Sequence, residues 1–315
     1  MSKARLGVGA GLRGGCAAGG PLFTTLRYCG FRCSVRTLPH PDPATAPVVL
    51  VGGAFQRMDG WGRVETRLAE RTTLVTVDLP GWGGADLLPA RYGYSFIAHA
   101  LRYLLDAAGH RRIHLFGGSY GAAVAFRYAR LYPADVESVA LIGAAARLPR
   151  PLRAKLRRVV SLLHAGRRDR FAEAATDLVL ARAHGAEVAR GHAVRRILHG
   201  IFHRADAGAA AIFAANTQRL LGGGLYPPGP PLRAPVLLGT GEHDRFTSPH
   251  LCREVAAHCA DARFVLLPDA DHAVHLEVPD ALSDLLLGFY QRHSSHQDHS
   301  SQLGRSLPRG YSAAA

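Results

Sequence analysis

The residues best placed to do chemistry lie in Gly117–Gly118–Ser119–Tyr120–Gly121, a Gly-x-Ser-x-Gly run. A serine hydroxyl is a weak nucleophile at neutral pH and needs a base beside it. The pattern is informative because of its context. Ile113–Phe116 before it reads as a short buried strand, and Ala122–Leu131 after it reads as a helix. So sharp a strand-to-helix turn presses backbone against backbone. Side chains at Gly117 and Gly121 would collide, while the serine between them projects above the sheet. The N–H of Tyr120 opens the helix, where free N–H groups and the helix dipole favour an oxyanion. The chemistry expected is attack on an acyl carbonyl.

The base and its orienting acid should follow strand ends on the same rim. Strand Arg263–Leu267 runs into Pro268–Asp269–Ala270–Asp271–His272. With 17 histidines in the chain, position has to decide. His272 on the loop is preferred over His275, which falls at the start of the next segment. Strand Pro235–Gly239 leads into Thr240–Gly241–Glu242–His243–Asp244–Arg245, where Asp244 is the expected acid and Glu242 its competitor. Gly143–Ala146, after the Val136 strand, holds no acid. Asp269 and Asp271 are expected to shape the His272 loop.

These residues need a frame. Thr24–Tyr28 and Arg32–Leu38 read as a hairpin. Val48–Val51, Thr73–Val77 and Val136–Ile142 read as further strands. Asp59–Glu70, Ser95–Ala108, Pro249–His258 and Pro279–Tyr290 read as helices. Such alternation predicts an α/β fold with a mostly parallel sheet and helices on both faces. Residues 147–222 have helical spacing and no convincing strand, and read as an inserted helical lid. The expected organisation is a flexible leader at 1–22, core at 23–146, lid at 147–222, core again at 223–292, and a disordered tail at 293–315.

Two further loops carry a family resemblance. Asp78–Leu79–Pro80–Gly81–Trp82–Gly83–Gly84–Ala85–Asp86 resembles the Asp-x-Pro-Gly-x-Gly-x-Ser loop of α/β-hydrolase-fold proteins, with Ala85 in place of serine. Gly52–Gly53–Ala54–Phe55 stands where that family commonly has His-Gly-x, with Gly52 in place of histidine. With the nucleophile turn and the chain order Ser, Asp, His, residues 24–292 resemble the lidded serine esterase, lactonase and thioesterase branch. The resemblance implies a Ser119–His272–Asp244 triad, with an oxyanion hole from the N–H groups of Tyr120 and Ala54, Phe55 being the alternative to Ala54. A serine nucleophile argues against haloalkane dehalogenases and epoxide hydrolases. Carbon–carbon bond hydrolases of the fold usually carry Asn before the serine and a Gly pair after it, unlike Gly118 and Gly121–Ala122 here. A carbon–carbon hydrolase, an acyl transferase or cyclase, and a non-enzymatic small-molecule receptor remain the alternatives. Phe55 and Trp82 are the expected substrate contacts, suggesting an apolar acyl compound. No cofactor is expected, since neither a P-loop nor a helix-opening Gly-x-Gly-x-x-Gly is present.

Composition bounds the rest. The chain has 315 residues, 48% hydrophobic and 20% charged, which excludes wholesale disorder. Its net charge is +14, yet lysine occurs only at Lys3 and Lys155, a skew read as codon bias rather than as a polyanion surface. The lid carries 15 basic and 5 acidic residues, and residues 1–40 carry 6 basic and none acidic. The basic lid is expected to be a solvated face, the alternative being attraction of an anionic substrate or acidic carrier. No nucleic-acid partner is expected. Five cysteines without a Cys-x-x-Cys pair predict free thiols and no metal. No apolar run reaches membrane-spanning length, and arginine and glycine interrupt any signal-like segment, so a cytoplasmic location is the default.

Overall fold

A computed structural model describes residues 20–180 and 188–294. The expected leader falls mostly, and the expected tail almost wholly, outside these residues. Eight strands are formed: β1 (Leu22–Tyr28), β2 (Phe31–Leu38), β3 (Val48–Val51), β4 (Leu74–Asp78), β5 (Ile113–Gly118), β6 (Val136–Ile142), β7 (Val236–Gly241) and β8 (Ala262–Leu267). They build one sheet in the order β1-β2-β4-β3-β5-β6-β7-β8. From β4 to β8 every pairing is parallel, and the β1–β2 hairpin adds antiparallel to β4. The expected mostly parallel α/β sheet is observed.

Covering on both faces explains the strand sequences. β3 is Val-Val-Leu-Val with all four residues buried, as a strand sandwiched between helices must be. One face carries α2 (Tyr94–Ala107) and α3 (Tyr120–Leu131), the other α1 (Arg63–Ala69) and α10 (Pro279–His293). In α2, Ile97, Leu101, Leu104 and Leu105 share the buried stripe that their spacing predicts. The short helices α8 (Pro249–Arg253) and α9 (Val274–Glu277) follow β7 and β8.

Between β6 and β7 the chain leaves the sheet and forms α4 (Arg150–His164), α5 (Arg168–Val179), α6 (Gly191–His203) and α7 (Ala207–Gly222). Leu152, Leu156, Val159 and Val160 give α4 one apolar stripe. Phe171 of α5, Phe202 of α6 and Phe213 of α7 make a separate small core. Phe55, from the loop after β3, reaches into it and stacks on Phe213 with ring centroids 4.5 Å apart. Among the described residues, no helix is long and apolar enough to cross a membrane.

Candidate active site

Because β5, β7 and β8 run in one direction, the loops that follow them open on one rim of the sheet. Ser119 sits between β5 and α3 at φ +51°, a conformation side-chain-bearing residues rarely adopt. The flanking glycines make the turn feasible. A Cβ on Gly117 would lie 2.7 Å from the Ala122 backbone, and one on Gly121 would lie 2.4 Å from the Val51 carbonyl oxygen. The collision expected from the sequence is real at both positions.

His272 Nε2 is 2.9 Å from Ser119 Oγ, and His272 Nδ1 is 2.8 Å from Asp244 Oδ2. Asp244 is fully enclosed, yet its carboxylate is well satisfied. Oδ1 accepts from the N–H groups of Phe246 (2.8 Å) and Thr247 (2.7 Å). Oδ2 accepts from the hydroxyls of Thr240 (2.7 Å) and Thr247 (2.6 Å). Burial alone would raise the Asp244 pKa, but the imidazole and the hydroxyl donors outweigh it and hold the carboxyl below its ordinary value. Burial likewise works against charge on His272, and the Asp244 carboxylate prevails, raising the imidazole above its usual 6.5. Gly143 lets the ring in, since a Cβ there would stand 3.2 Å from His272 Cε1.

The competing residues take other places: His275 lines the same cavity but is turned to Trp61. Glu242 is exposed. His275 is within α9, its ring edge-on to Trp61 at 6.1 Å, and burial followed by the proximity of His272 depresses its pKa to about 4. Glu277 is buried behind His272. Its Oε2 accepts from the Asp271 N–H at 3.0 Å, while Oε1 has no hydrogen-bond partner among the described residues. Burial, then the neighbouring Asp271, raises its pKa to about 8. An unfolded glutamate ionises near 4.5, so the native state holds an extra proton between those two values and loses stability as pH rises across that window. Glu277→Gln keeps an acceptor for the Asp271 N–H and removes this loss. Its Tm advantage over the parent protein is expected to grow from about pH 4.5 to about pH 8 and then level off. Thermal melts showing a pH-independent difference would contradict the assignment.

Ala54, Phe55 and Tyr120 line the same cavity as Ser119 and His272, a space of about 420 Å³ roofed by the inserted helices. Trp82 does not. It is buried beneath the loops, and its Nε1 donates to the Gly52 carbonyl at 3.1 Å, so it is a support of the β3 loop rather than a substrate contact. The indole N–H needed a buried acceptor, and the turn at Gly52 offered one. Gln56 fills the space beside Gly52, and its Oε1 accepts from the Gly53 N–H at 3.2 Å. Asp78 ties the two rim loops together, accepting from Met58 N and Gly84 N at 2.8 Å each. Thr240, Thr247, Gln56 and Gly143 carry no motif that marks them in the sequence: the first three act through loop turns whose geometry only the fold sets, and Gly143 acts through space it leaves empty.

The cavity wall is overwhelmingly apolar. Phe55, Phe202, Phe213, Leu198, Leu220 and Phe246 are typical of it, and Arg57, paired with Asp59 at 3.1 Å, is the one arginine or lysine among the described lining residues. None of the described basic residues of 147–222 lines it. The inserted helices turn apolar side chains inward and carry their charge elsewhere.

A model of the alpha/beta hydrolase fold matches residues 46–279. Over 101 residues, the chain is 35% identical to 2-hydroxy-6-oxononadienedioate/2-hydroxy-6-oxononatrienedioate hydrolase 2 of Pseudomonas putida, covering 30% of this chain and 35% of that one. The chain spans only 28–35% of the length of such curated relatives. Among solved structures, the enol-lactonase of Burkholderia xenovorans superposes with a TM-score of 0.70 at 22% identity, over 84% of this chain and 99% of that one. MGS-M2, an alpha/beta hydrolase enzyme from a Medee basin deep-sea metagenome library, gives 0.74 at 18% identity, over 85% and 97%.

Proposed function

The chain belongs to the alpha/beta hydrolase fold family, and from that premise we propose that it is a serine hydrolase acting on an uncharged, largely apolar ester, lactone or thioester. The observation that carries the proposal is the unbroken hydrogen-bonded chain Ser119–His272–Asp244. His272 takes the Ser119 proton as Oγ attacks the acyl carbonyl, and Asp244 stabilises the imidazolium so formed. The N–H groups of Tyr120 and Ala54 receive the oxyanion. His272 returns the proton to the leaving group, and water, activated by the same ring, releases the acyl group from Ser119. Helices α4–α7 serve as a lid that keeps the acyl portion out of water.

The Pseudomonas relative's name specifies a dienedioate hydrolase, which makes carbon–carbon bond hydrolysis the second reading. Among the described lining residues a dianion would find one arginine or lysine, Arg57, already paired with Asp59, so the lining favours neutral esters. The test is labelling with a fluorophosphonate, followed by turnover of esters of increasing acyl length, lactones, thioesters and vinylogous diketones. Stoichiometric labelling at Ser119 and ester turnover are expected. Cleavage of diketones without esters would favour the second reading, and tight binding without turnover would point to a receptor.

A further inference from the structure

Arg219, on α7, is buried, and its guanidinium is spread over five uncharged acceptors. Nε donates to the Tyr92 carbonyl at 2.5 Å, and one terminal nitrogen donates to the carbonyls of Leu88 (2.9 Å) and Pro89 (3.0 Å). The other donates to the Tyr120 hydroxyl at 2.6 Å and to Asn216 Oδ1 at 2.8 Å. No carboxylate pairs with it among the described residues. An arginine cannot shed its proton to escape burial, and a charge out of water without a counter-ion is costly. So expensive an arrangement is not needed merely to pin a helix to a loop. Among the described residues its one side-chain hydrogen-bond partner outside α7 is Tyr120, the residue directly after Ser119.

We propose that Arg219 is a positioning residue for the nucleophile turn: it clamps the far end of the Tyr120 side chain, and through it the main-chain N–H beside Ser119, while fixing the α7 wall of the cavity. The proposal rests on Ser119 as nucleophile and on the Tyr120 N–H as an oxyanion donor. The Tyr120 ring also packs on Trp82 and Tyr94, with centroids 5.1 and 5.7 Å away, within the buried apolar core. Burial pushes its phenol up to about 12, so it meets Arg219 as a neutral acceptor. From the same stretch of α7, Asn216 donates to the Gly81 carbonyl at 2.9 Å and lines the cavity with Thr217 and Leu220. One guanidinium thus registers both the oxyanion amide and the surface against which the acyl group rests.

Tyr120→Phe breaks the clamp at a single bond and leaves α7 anchored. It should lower kcat about tenfold, the scale expected when a transition-state donor is slightly misplaced, and leave KM unchanged. Arg219→Gln should lower kcat similarly and also raise KM, because the cavity wall loses its anchor. Arg219→Lys, which keeps the charge without the fork, should fall between Arg219→Gln and the parent. The kcat losses of Tyr120→Phe and Arg219→Gln should not multiply in the double variant. Rates are normalised to fluorophosphonate-titrated sites, so loss of folded protein does not count as loss of kcat, and Tyr120→Phe and Arg219→Lys decide the matter if Arg219→Gln does not fold. Parent-like kcat in those two variants, whatever their Tm, would overturn the inference, as would multiplicative losses. An unlabelled, inactive parent protein would overturn the nucleophile reading itself, and this inference with it.

Discussion

Ser119→Ala is expected to lower kcat/KM for the best ester by about 10⁴-fold or more while leaving Tm nearly unchanged. Both halves follow from the local structure. The hydroxyl is the hydrogen-bond partner of His272 Nε2 among the described residues, and its neighbours on the turn, Gly118 and Tyr120, offer no group in its place. Ser119 occupies the N-cap position of α3 but makes no capping hydrogen bond with its side chain, so the helix loses nothing. The crowded turn that holds its positive φ is possible because Gly117 and Gly121 carry no side chains to collide, and alanine brings no Cβ that serine lacks. What should survive is the modest acceleration due to binding and the oxyanion donors, which do not depend on the hydroxyl. Ester hydrolysis by purified variant, with melting followed in parallel, measures both. Retained turnover would end the serine mechanism.

The site divides into a part legible in the sequence and a part that is not. Ser119 could be read because its constraint is local: two glycines, a strand and a helix within a dozen residues enforce the turn. The β3 bounds were legible for a similar reason, since the continuous apolar run Val48–Val51 has one way to be buried on both faces. The place of the β1–β2 hairpin was not, because its antiparallel seat on β4 depends on an edge that exists only once the sheet has formed. Helix starts were less legible than cores. The reading from Asp59 anticipated α1, which begins at Arg63 after a glycine at φ +52°. Trp82 shows how an aromatic in a suggestive loop misleads: its ring could be placed near the site from sequence, but the Gly52 carbonyl that draws its N–H beneath the loops could not. Arg219 is the same problem reversed. Among so many arginines, nothing local marks the one whose five partners come from the Tyr120 side chain, the 88–92 loop and its own helix.

Asp244→Asn should be nearly as damaging as loss of the nucleophile, because the surrounding donors dictate how the amide sits. Oδ1 faces two main-chain N–H groups, from Phe246 and Thr247, which cannot turn away. The amide oxygen must take that place, leaving NH₂ where Oδ2 had been. The hydroxyls of Thr240 and Thr247 can rotate to accept from it, but His272 Nδ1 can accept only by giving up its hydrogen. The imidazole is thereby driven to the tautomer protonated at Nε2, the atom that must receive the Ser119 proton. A fall in kcat of about 10⁴-fold is expected, the size found when the same substitution traps the wrong tautomer in a serine protease. The pH profile supplies an independent check. In the parent protein the carboxylate raises the His272 pKa above 6.5, and the base works only when neutral, so activity should fall as pH drops through a midpoint above that value. Without the carboxylate, burial disfavours charge on the ring against only the smaller pull of Asp271 and Glu277, so the midpoint of the residual activity should move to lower pH. A variant within tenfold of the parent rate, or one with the parent midpoint, would show that Asp244 does not orient and charge-stabilise His272.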